Sequence, residues 1–488
     1  MNKTKFLTGF PKELFGSAKR KAQDIIRLQS EQLMELSLGG FVLQFSSLIP
    51  QAFLLKTAPN QRKRVFHCEV VFWAWMSQIL HFNSSCSFAV SCLQSWRLKA
   101  KLPPISSKTT AYCKARIKLP ITFIESVSQQ VTNTLNRRVQ PSELWQGFVV
   151  KSVDGSSVQL MDTEENQSEF PQPTNQKKDC GFPVMKFLGL LNHSTGAWEH
   201  HLTAPPDEHD VRTMRALIEH FSEPCLLLAD RAFCSFEIIA RLKEKGVESL
   251  MRLHQMRAKG FTLQRGKRIG PKQRLVTWVK PRKKPASSDL SDTEWEALPD
   301  SIPMRLIVSN YEDRNGEKKR LILATTLLDT EAYDWIALLN LYATRWDIEL
   351  RLRDVKTTMK MEALPVKTPE MAKKSLAMAL LGYNLIKGIS QEVSQTEGVE
   401  RELISFKELL DWVNSTTHHF EDLKGRTIRR VKALYKSFLE IGATKLINIR
   451  PYRWEPRAIK KRPKPFPRLT ESRASLKAKR DSGELIPA

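Results

Sequence analysis

The pattern of apolar and polar positions changes character near residue 146. Before that point the segments KRKAQDIIRLQSEQLMELS (19–37) and EVVFWAWMSQILHF (69–82) predict helices. The stretch PISSKTTAYCKARIK (104–118) reads as a basic helix with Ser106 or Ser107 as its N-cap, and with Lys108, Lys114, Arg116 and Lys118 in one solvent region. Such a helix suits the second position of a helix-turn-helix, entering a DNA major groove. An ordinary surface helix fits the same pattern.

After residue 146 the period shortens. FVVKSV (148–153) predicts a short strand ending at Asp154-Gly-Ser-Ser, and 184–191 with 198–202 predicts a hairpin turned by 192–196. Asp210 caps a helix over 211–221. CLLLA (225–229) is an unbroken apolar run of the kind buried parallel strands use. A helix over 235–245, closed by Gly246, leads into a strand over 247–253. The order β-β-β-α-β-α-β predicts an α/β fold with a mixed sheet. From 250 to 288 no acidic residue occurs, and FTL (261–263), LVTWV (275–279) and MRLIV (304–308) suggest short strands. The pattern thus divides the chain into six parts. These are a helical, DNA-binding N-terminal region (1–140), a first part of the core (141–253) and a basic β-rich insertion (254–318). After them come a second part of the core (319–395), a helical region suited to dimerisation (396–450) and a basic tail (451–488) without fixed structure.

Composition narrows the function. The chain has 488 residues, 41% of them hydrophobic, enough for a substantial core. Lys+Arg exceed Asp+Glu by 77 − 52 = 25, so polyanions lead the candidate partners, with an anionic membrane surface second. No apolar stretch reaches the roughly 18–20 residues a spanning helix needs, and the first residues lack the apolar core of a secretory signal. The seven cysteines contain no Cys-x-x-Cys pair, which fits reduced thiols in a cytoplasm. No Gly-rich phosphate loop of the nucleotide-triphosphatase type is found.

Three carboxylates carry the candidate chemistry. Asp154 and Asp230 each follow an apolar strand, where a half-desolvated carboxylate has to be paired, protonated or metal-bound. A loop cap or ion-pair partner is the plainer reading of either alone; two at equivalent strand ends favour a divalent metal, and an all-oxygen set favours Mg²⁺ or Mn²⁺. The third lies in LYATRWDIELRLRDVK (341–356). On a regular α-helix Tyr342, Arg345, Glu349 and Lys356 share a stripe about 60° wide, where a solvated ladder of ion pairs is the alternative. Glu199-His200-His201 and Asp207-Glu208-His209-Asp210 lack metal-ligand spacing and read as surface polar loops. No Gly-x-Ser-x-Gly elbow supports a serine nucleophile.

The spacing Tyr342-x2-Arg345-x3-Glu349-x6-Lys356 resembles the Tyr-Arg-Glu-Lys signature of bacterial insertion-sequence transposases of the fourth insertion-sequence family, which are DDE recombinases. Asp154 in VDGSS and Asp230 in ADRAF resemble that family's two aspartate blocks, in the same order, and the basic insertion resembles the family's own. The likeness is good over 146–360. It implies a ribonuclease-H-like core in which Asp154, Asp230 and Glu349 hold two Mg²⁺ ions (Mn²⁺ substituting) for in-line displacement at phosphorus. It further implies that Tyr342, Arg345 and Lys356 grip phosphates near the transposon end. The function implied is Mg²⁺-dependent cleavage at terminal inverted repeats and strand transfer into target double-stranded DNA, by a homodimer on DNA. A nuclease without strand transfer, or a DNA-binding relic of a transposase, is the rival. Relatives of this type stack a flipped base on a tryptophan of the insertion; Trp278 is the better candidate here and Trp295 the weaker, though a core position suits both.

Overall fold

The structure is a computed structural model that describes residues 39–59, 65–221, 224–253, 266–286, 288–312, 317–422, 428–448, 466 and 469–484. The helix expected over 19–37, the strand expected over 261–263 and most of the tail before 469 lie outside the described residues. The chain divides into two compact units, one formed by Met1–Arg138 with Arg353–Pro467, the other by Val139–Leu352 with Arg468–Ala488.

The first unit is helical. Its axis is helix Pro369–Glu397, which starts with Thr368 accepting a hydrogen bond from the Met371 N–H and with Pro369 at the first position, and stops at the left-handed Gly398 (φ 73°). Apolar residues surround this helix on every side, so it packs against helices Cys68–Leu80, Ile121–Arg138, Phe406–Glu421 and Ile428–Gly442. That is why it joins the helical unit, rather than the core stretch 319–395 that the sequence predicts for it. At Gly388 a Cβ would stand 2.4 Å from Leu48 Cδ1, so any larger residue there would have to displace the Leu48 side chain.

The basic helix is shorter than predicted, Thr110–Lys118, with Thr109 in the cap position and no side-chain cap. Its four cations do not share one solvent face. Lys108, Lys114 and Lys118 are exposed, but Arg116 is buried, its guanidinium 4.2 Å from the Trp75 ring centroid and its Nη1 donating to Gln78 Oε1 at 3.3 Å. The flat, weakly hydrated guanidinium can stack on an aromatic face where an ammonium would not.

The second unit is built on one mixed sheet. Its strands are β1 (Val149–Leu160), β2 (Val184–Asn192), β3 (Ala197–Ala204), β4 (Cys225–Ala229), β5 (Glu248–Arg252), β6 (Lys267–Gly270), β7 (Gln273–Val279), β8 (Ser301–Glu312) and β9 (Lys318–Thr325). They run in the order β3-β2-β1-β4-β5-β9-β8-β7-β6. The predicted hairpin is β2–β3, and β1, β4 and β5 are parallel. β4 is buried on both faces: Cys225, Leu227 and Ala229 pack under helices Asp210–Ile218 and Phe236–Glu244, while Leu226 and Leu228 pack under helix Trp335–Ala343.

Three expectations are corrected here. First, β1 does not stop at Asp154 but continues to Leu160 against β2. Second, β7 and β8 are not a separate piece: with β9 they extend the core sheet from the free edge of β5, where Leu250 pairs Thr325 in antiparallel register. An exposed edge of unpaired peptide groups is thereby covered. Third, the tail holds a helix, Arg473–Asp481, fixed to the connection after β1 by Arg473 Nε to Asp162 Oδ2 at 2.5 Å, Arg473 to the Gly181 carbonyl, and Leu469 N–H to Cys180 O at 2.9 Å. Composition reads a charged segment as unstructured because it assumes no partner; here the partner lies on the same unit. Among the described residues no helix is long and apolar enough to cross a membrane.

Trp278 and Trp295 are 8% and 6% exposed and belong to one apolar cluster, with Phe236 edge-on to Trp278 at 6.2 Å. Trp278→Ala is therefore expected to lower the unfolding free energy by about 3–5 kcal/mol in a urea titration. A change within about 0.5 kcal/mol, as for a surface side chain, would return Trp278 to the pool of base-stacking residues.

Candidate active site

The site forms where the parallel ladder between β1 and β4 ends. The last pairs are Lys151 with Leu227 and Ser152 with Leu228; beyond them β1 leaves β4 and continues against β2. Asp154 lies two residues past this point, and Asp230 directly follows the last residue of β4. A crevice at the carboxyl ends of parallel strands follows, the usual place for reactive groups in such sheets. The Asp154 Oδ1 accepts from the Gly155 N–H at 2.8 Å. Gly155 lies close against the helix that starts at Asp210: a Cβ there would stand 3.2 Å from Asp210 Oδ2, a tight contact. Asp210 is the first residue of its helix rather than the cap, which is His209, and its carboxylate pairs with Lys186 Nζ at 2.8 Å.

Glu349 and Arg345 reach the same crevice from a helical run that is not one regular helix. It passes from α-helix Trp335–Ala343 through a 3-10 turn, Thr344–Trp346, to α-helix Asp347–Arg353 and then a π-turn, Asp354–Thr358. A uniform 100° per residue therefore fails between Tyr342 and Lys356, because a 3-10 turn tightens the coil and a π-turn widens it. Arg345 is 5% exposed, and its Nη2 stands 3.6 Å from Glu349 Oε1. Its guanidinium is 4.7 Å from the Trp346 ring centroid and 5.9 Å from that of Tyr342. Among the described residues Arg345 Nε is buried with no hydrogen-bond partner.

The electrostatics tie these groups together. Burial raises the Asp154 carboxyl above its usual range, the Gly155 N–H and Arg345 oppose the shift, and Glu349 and Asp230 add to it. Tyr342 is buried, its hydroxyl donating to the Ala229 carbonyl at 3.3 Å. Burial pushes its phenol up to about 12, with Arg345 opposing and Asp230 reinforcing, so it is a neutral donor at physiological pH. Five of the six predicted residues thus meet in one unit: Asp154, Asp230, Tyr342, Arg345 and Glu349. Lys356 belongs to the other unit, in the π-turn, half-buried and lowered by desolvation against the pull of Glu362. Arg252 was missed by the sequence reading. It closes β5 at the level at which Asp230 follows β4, since Ala229 pairs Met251, and its charge reaches Tyr342. A cation ending a strand beside the Asp230 strand is the signal that could have found it.

The donor set, three carboxylates sharing one field with no thiol or imidazole, suits a hard divalent cation. Among the described residues, however, no three His, Cys, Asp or Glu side chains stand close enough to encircle an ion. Glu349 faces Arg345 instead. The other acidic and histidine clusters are structural: Glu199, His200 and His201 lie on β3 rather than in a surface loop. Glu199 forms a buried pair with Lys151 at 2.7 Å, and burial lowers His201 to about 4.

Two outcomes follow. In chelator, Asp154→Asn is expected to raise the melting temperature at neutral pH. A carboxyl raised in the folded state favours folding while protonated, and that contribution is lost as pH rises through the folded value. The advantage of the Asn variant therefore shrinks as pH falls through the raised folded value and is gone below the ordinary aspartate range; equal melting temperatures at neutral pH would show that the charge carries no burial cost. Tyr342→Phe is expected to cost about 1 kcal/mol in urea unfolding, through loss of the bond to Ala229.

Residues 145–385 match the family model described as a transposase DDE domain. The chain is 24% identical over 424 residues to the transposase InsG for insertion sequence element IS4 of Escherichia coli (strain K12), an alignment covering 85% of this chain and 90% of that protein. The cryo-EM structure of the piggyBac transposase synaptic complex with hairpin DNA aligns over 85% of this chain and 86% of its own, at a TM-score of 0.39 and 11% identity, too slight a likeness to carry an argument.

Proposed function

Because this chain belongs to the DDE transposases of the insertion-sequence type that IS4 represents, we propose that Asp154, Asp230 and Glu349 are the carboxylates with which it cuts transposon ends and joins them to target DNA. The observation that carries this reading is the convergence of the three on one field at the end of the β1–β4 ladder, with buried Arg345 among them. The order β3-β2-β1-β4-β5, with β2 antiparallel, supports reading this sheet as a ribonuclease-H-like core.

By donor chemistry, three carboxylates without thiol or imidazole, Asp154, Asp230 and Glu349 suit Mg²⁺, with Mn²⁺ as its substitute, and would hold it once Glu349 turns from Arg345. Bound there, the metal would lower the charge at the scissile phosphate and activate the attacking oxygen. The chain's own groups do the rest. Arg345 Nε is a buried donor in want of an acceptor, and a phosphate oxygen supplies one. Tyr342, its hydroxyl already given to Ala229, positions the strand end that carries Asp230 more than it grips a phosphate. Lys356, with the exposed Lys108, Lys114 and Lys118, contributes positive charge for the duplex. Joining two ends to one target calls for two copies of the chain on DNA.

The test is cleavage and joining of labelled end DNA in Mg²⁺ by wild type and Glu349→Gln. Binding should persist in the variant while cleavage and joining fall by at least about a hundredfold, since even the residues behind metal ligands cost that much. Equal activity would remove Glu349 from the site. Cleavage without joined products would leave a nuclease, and tight binding without cleavage by either protein would leave a DNA-binding relic. Raising salt should weaken duplex binding linearly on a log–log plot.

A further inference from the structure

We infer that Arg305 is a positioning residue for Glu349: from β8 it clamps the turn that starts the helical run, and so sets the line along which that run delivers Arg345 and Glu349 to the crevice. The role rests on Glu349 being a carboxylate of the active site, as proposed above. Arg305 pairs Thr325 of β9, which pairs Leu250 of β5. It therefore shares the sheet face of Leu250 and Ile307, against which helix Trp335–Ala343 packs.

The side chain is fully buried. Its Nε and Nη2 donate to Gln273 Oε1 of β7 at 2.9 and 2.5 Å, and its Nη1 donates to the carbonyls of Asp329 at 3.0 Å and Tyr333 at 2.7 Å. Among the described residues no carboxylate bonds to it; a glutamine amide and two peptide groups hold the charge. An apolar side chain of the same volume would often serve packing as well. What the guanidinium adds is geometry, since its planar fork fixes its acceptors at set angles. Here one branch lies on β7 and the other on the turn.

The turn is stiff from within. The Tyr333 N–H donates to Asp329 O at 3.3 Å, and Asp329 Oδ1 accepts from the Glu331 and Ala332 N–H groups at 2.8 and 3.0 Å. Asp334 Oδ2 then caps the helix through the Ile336 and Ala337 N–H groups at 3.0 and 3.1 Å. The Tyr333 ring stacks on Trp145 at 6.1 Å, just before β1, and Lys272 Nζ lies 5.4 Å from the Trp335 ring centroid. Two ties thus define the line of the run: Arg305 at its start, and the Tyr342 bond to Ala229 nearer its middle. Glu349 lies 349 − 334 = 15 residues beyond the cap, roughly 20 Å at helical rise, so a tilt of about 3° at the start moves it by about 1 Å. A displacement of that size can cost about a hundredfold in rate.

Cleavage of labelled end DNA in Mg²⁺ is compared for full-length wild type, Arg305→Met, Arg305→Lys and Glu349→Gln. Arg305→Met is expected to lower the cleavage rate at saturating DNA by at least about tenfold, with the Kd for end DNA in chelator within about twofold of wild type. Hydrogen exchange without DNA or metal gives a readout that a general loss of stability does not. Amides of residues 335–349 should exchange at least about tenfold faster, while those of β4 keep the wild-type rate. Arg305→Lys keeps the charge without the fork and should show the same two changes, smaller in size; it decides the matter if the methionine variant does not fold. A folded variant that cleaves at the wild-type rate would overturn the positioning role. So would a rate loss matched by an equal loss of DNA affinity, or faster exchange spread evenly over the unit. Wild-type activity of Glu349→Gln would overturn the role together with the reading on which it rests.

Discussion

The site depends on a balance of charge at one end of a sheet. Burial, with the charges of Glu349 and Asp230 added to it, raises the cost of ionising Asp154, and Arg345 is the cation set among them. Coulomb energies at such separations become large once water is excluded, so three carboxylates there are tolerable only with compensation. Arg345 gives part of it from a buried position, and its Nε has no acceptor among the described residues. The surrounding construction serves this balance: Gly155 lets Asp210 lie against β1, and Tyr342 ties the end of β4 to helix Trp335–Ala343.

The irregular helical run has a matching logic. Arg345 and Trp346 are neighbours, yet one is 5% and the other 58% exposed. The 3-10 turn that contains both turns the guanidinium inward beside Tyr342 while the indole covers its outer face at 4.7 Å. Stacking of this kind holds a guanidinium by its flat faces and leaves its edge for hydrogen bonds. A lysine could not be fixed in this way and would reach the carboxylates as a mobile point charge.

Much of this was legible in the residues, and the failures share a cause. The hairpin β2–β3, the central strand β4 and the helix after Ser235 are set by local pattern and turn chemistry, and all three form as read. The extension of β1 through Gly155-Ser-Ser was not, because polar residues look like a turn unless β2 is known to run beside them. Nor was the joining of β7, β8 and β9 to β5, which depends on pairing across more than 70 residues, as between Leu250 and Thr325. Arg116 misled because charge alone reads as solvent; only Trp75 and Gln78, remote in sequence, explain its burial. Of the site, the residue types and their spacing were visible. The 3-10 and π turns that displace Lys356 from a common stripe were not, since no residue there announces a change of helical period.

On the proposed reading, the pairing of Glu349 with Arg345 links DNA binding to metal binding. As long as the guanidinium edge is turned to the Glu349 carboxylate, that carboxylate is partly neutralised and is a poorer ligand for a cation. A phosphate oxygen arriving at Arg345 competes for the same charge and carries more of its own, through bonds a guanidinium makes in a fixed fork. Each contact moved from Glu349 to the phosphate restores negative charge to the site where Asp154 and Asp230 already wait. Substrate and metal then favour one another's binding, and by linkage the effect holds in both directions.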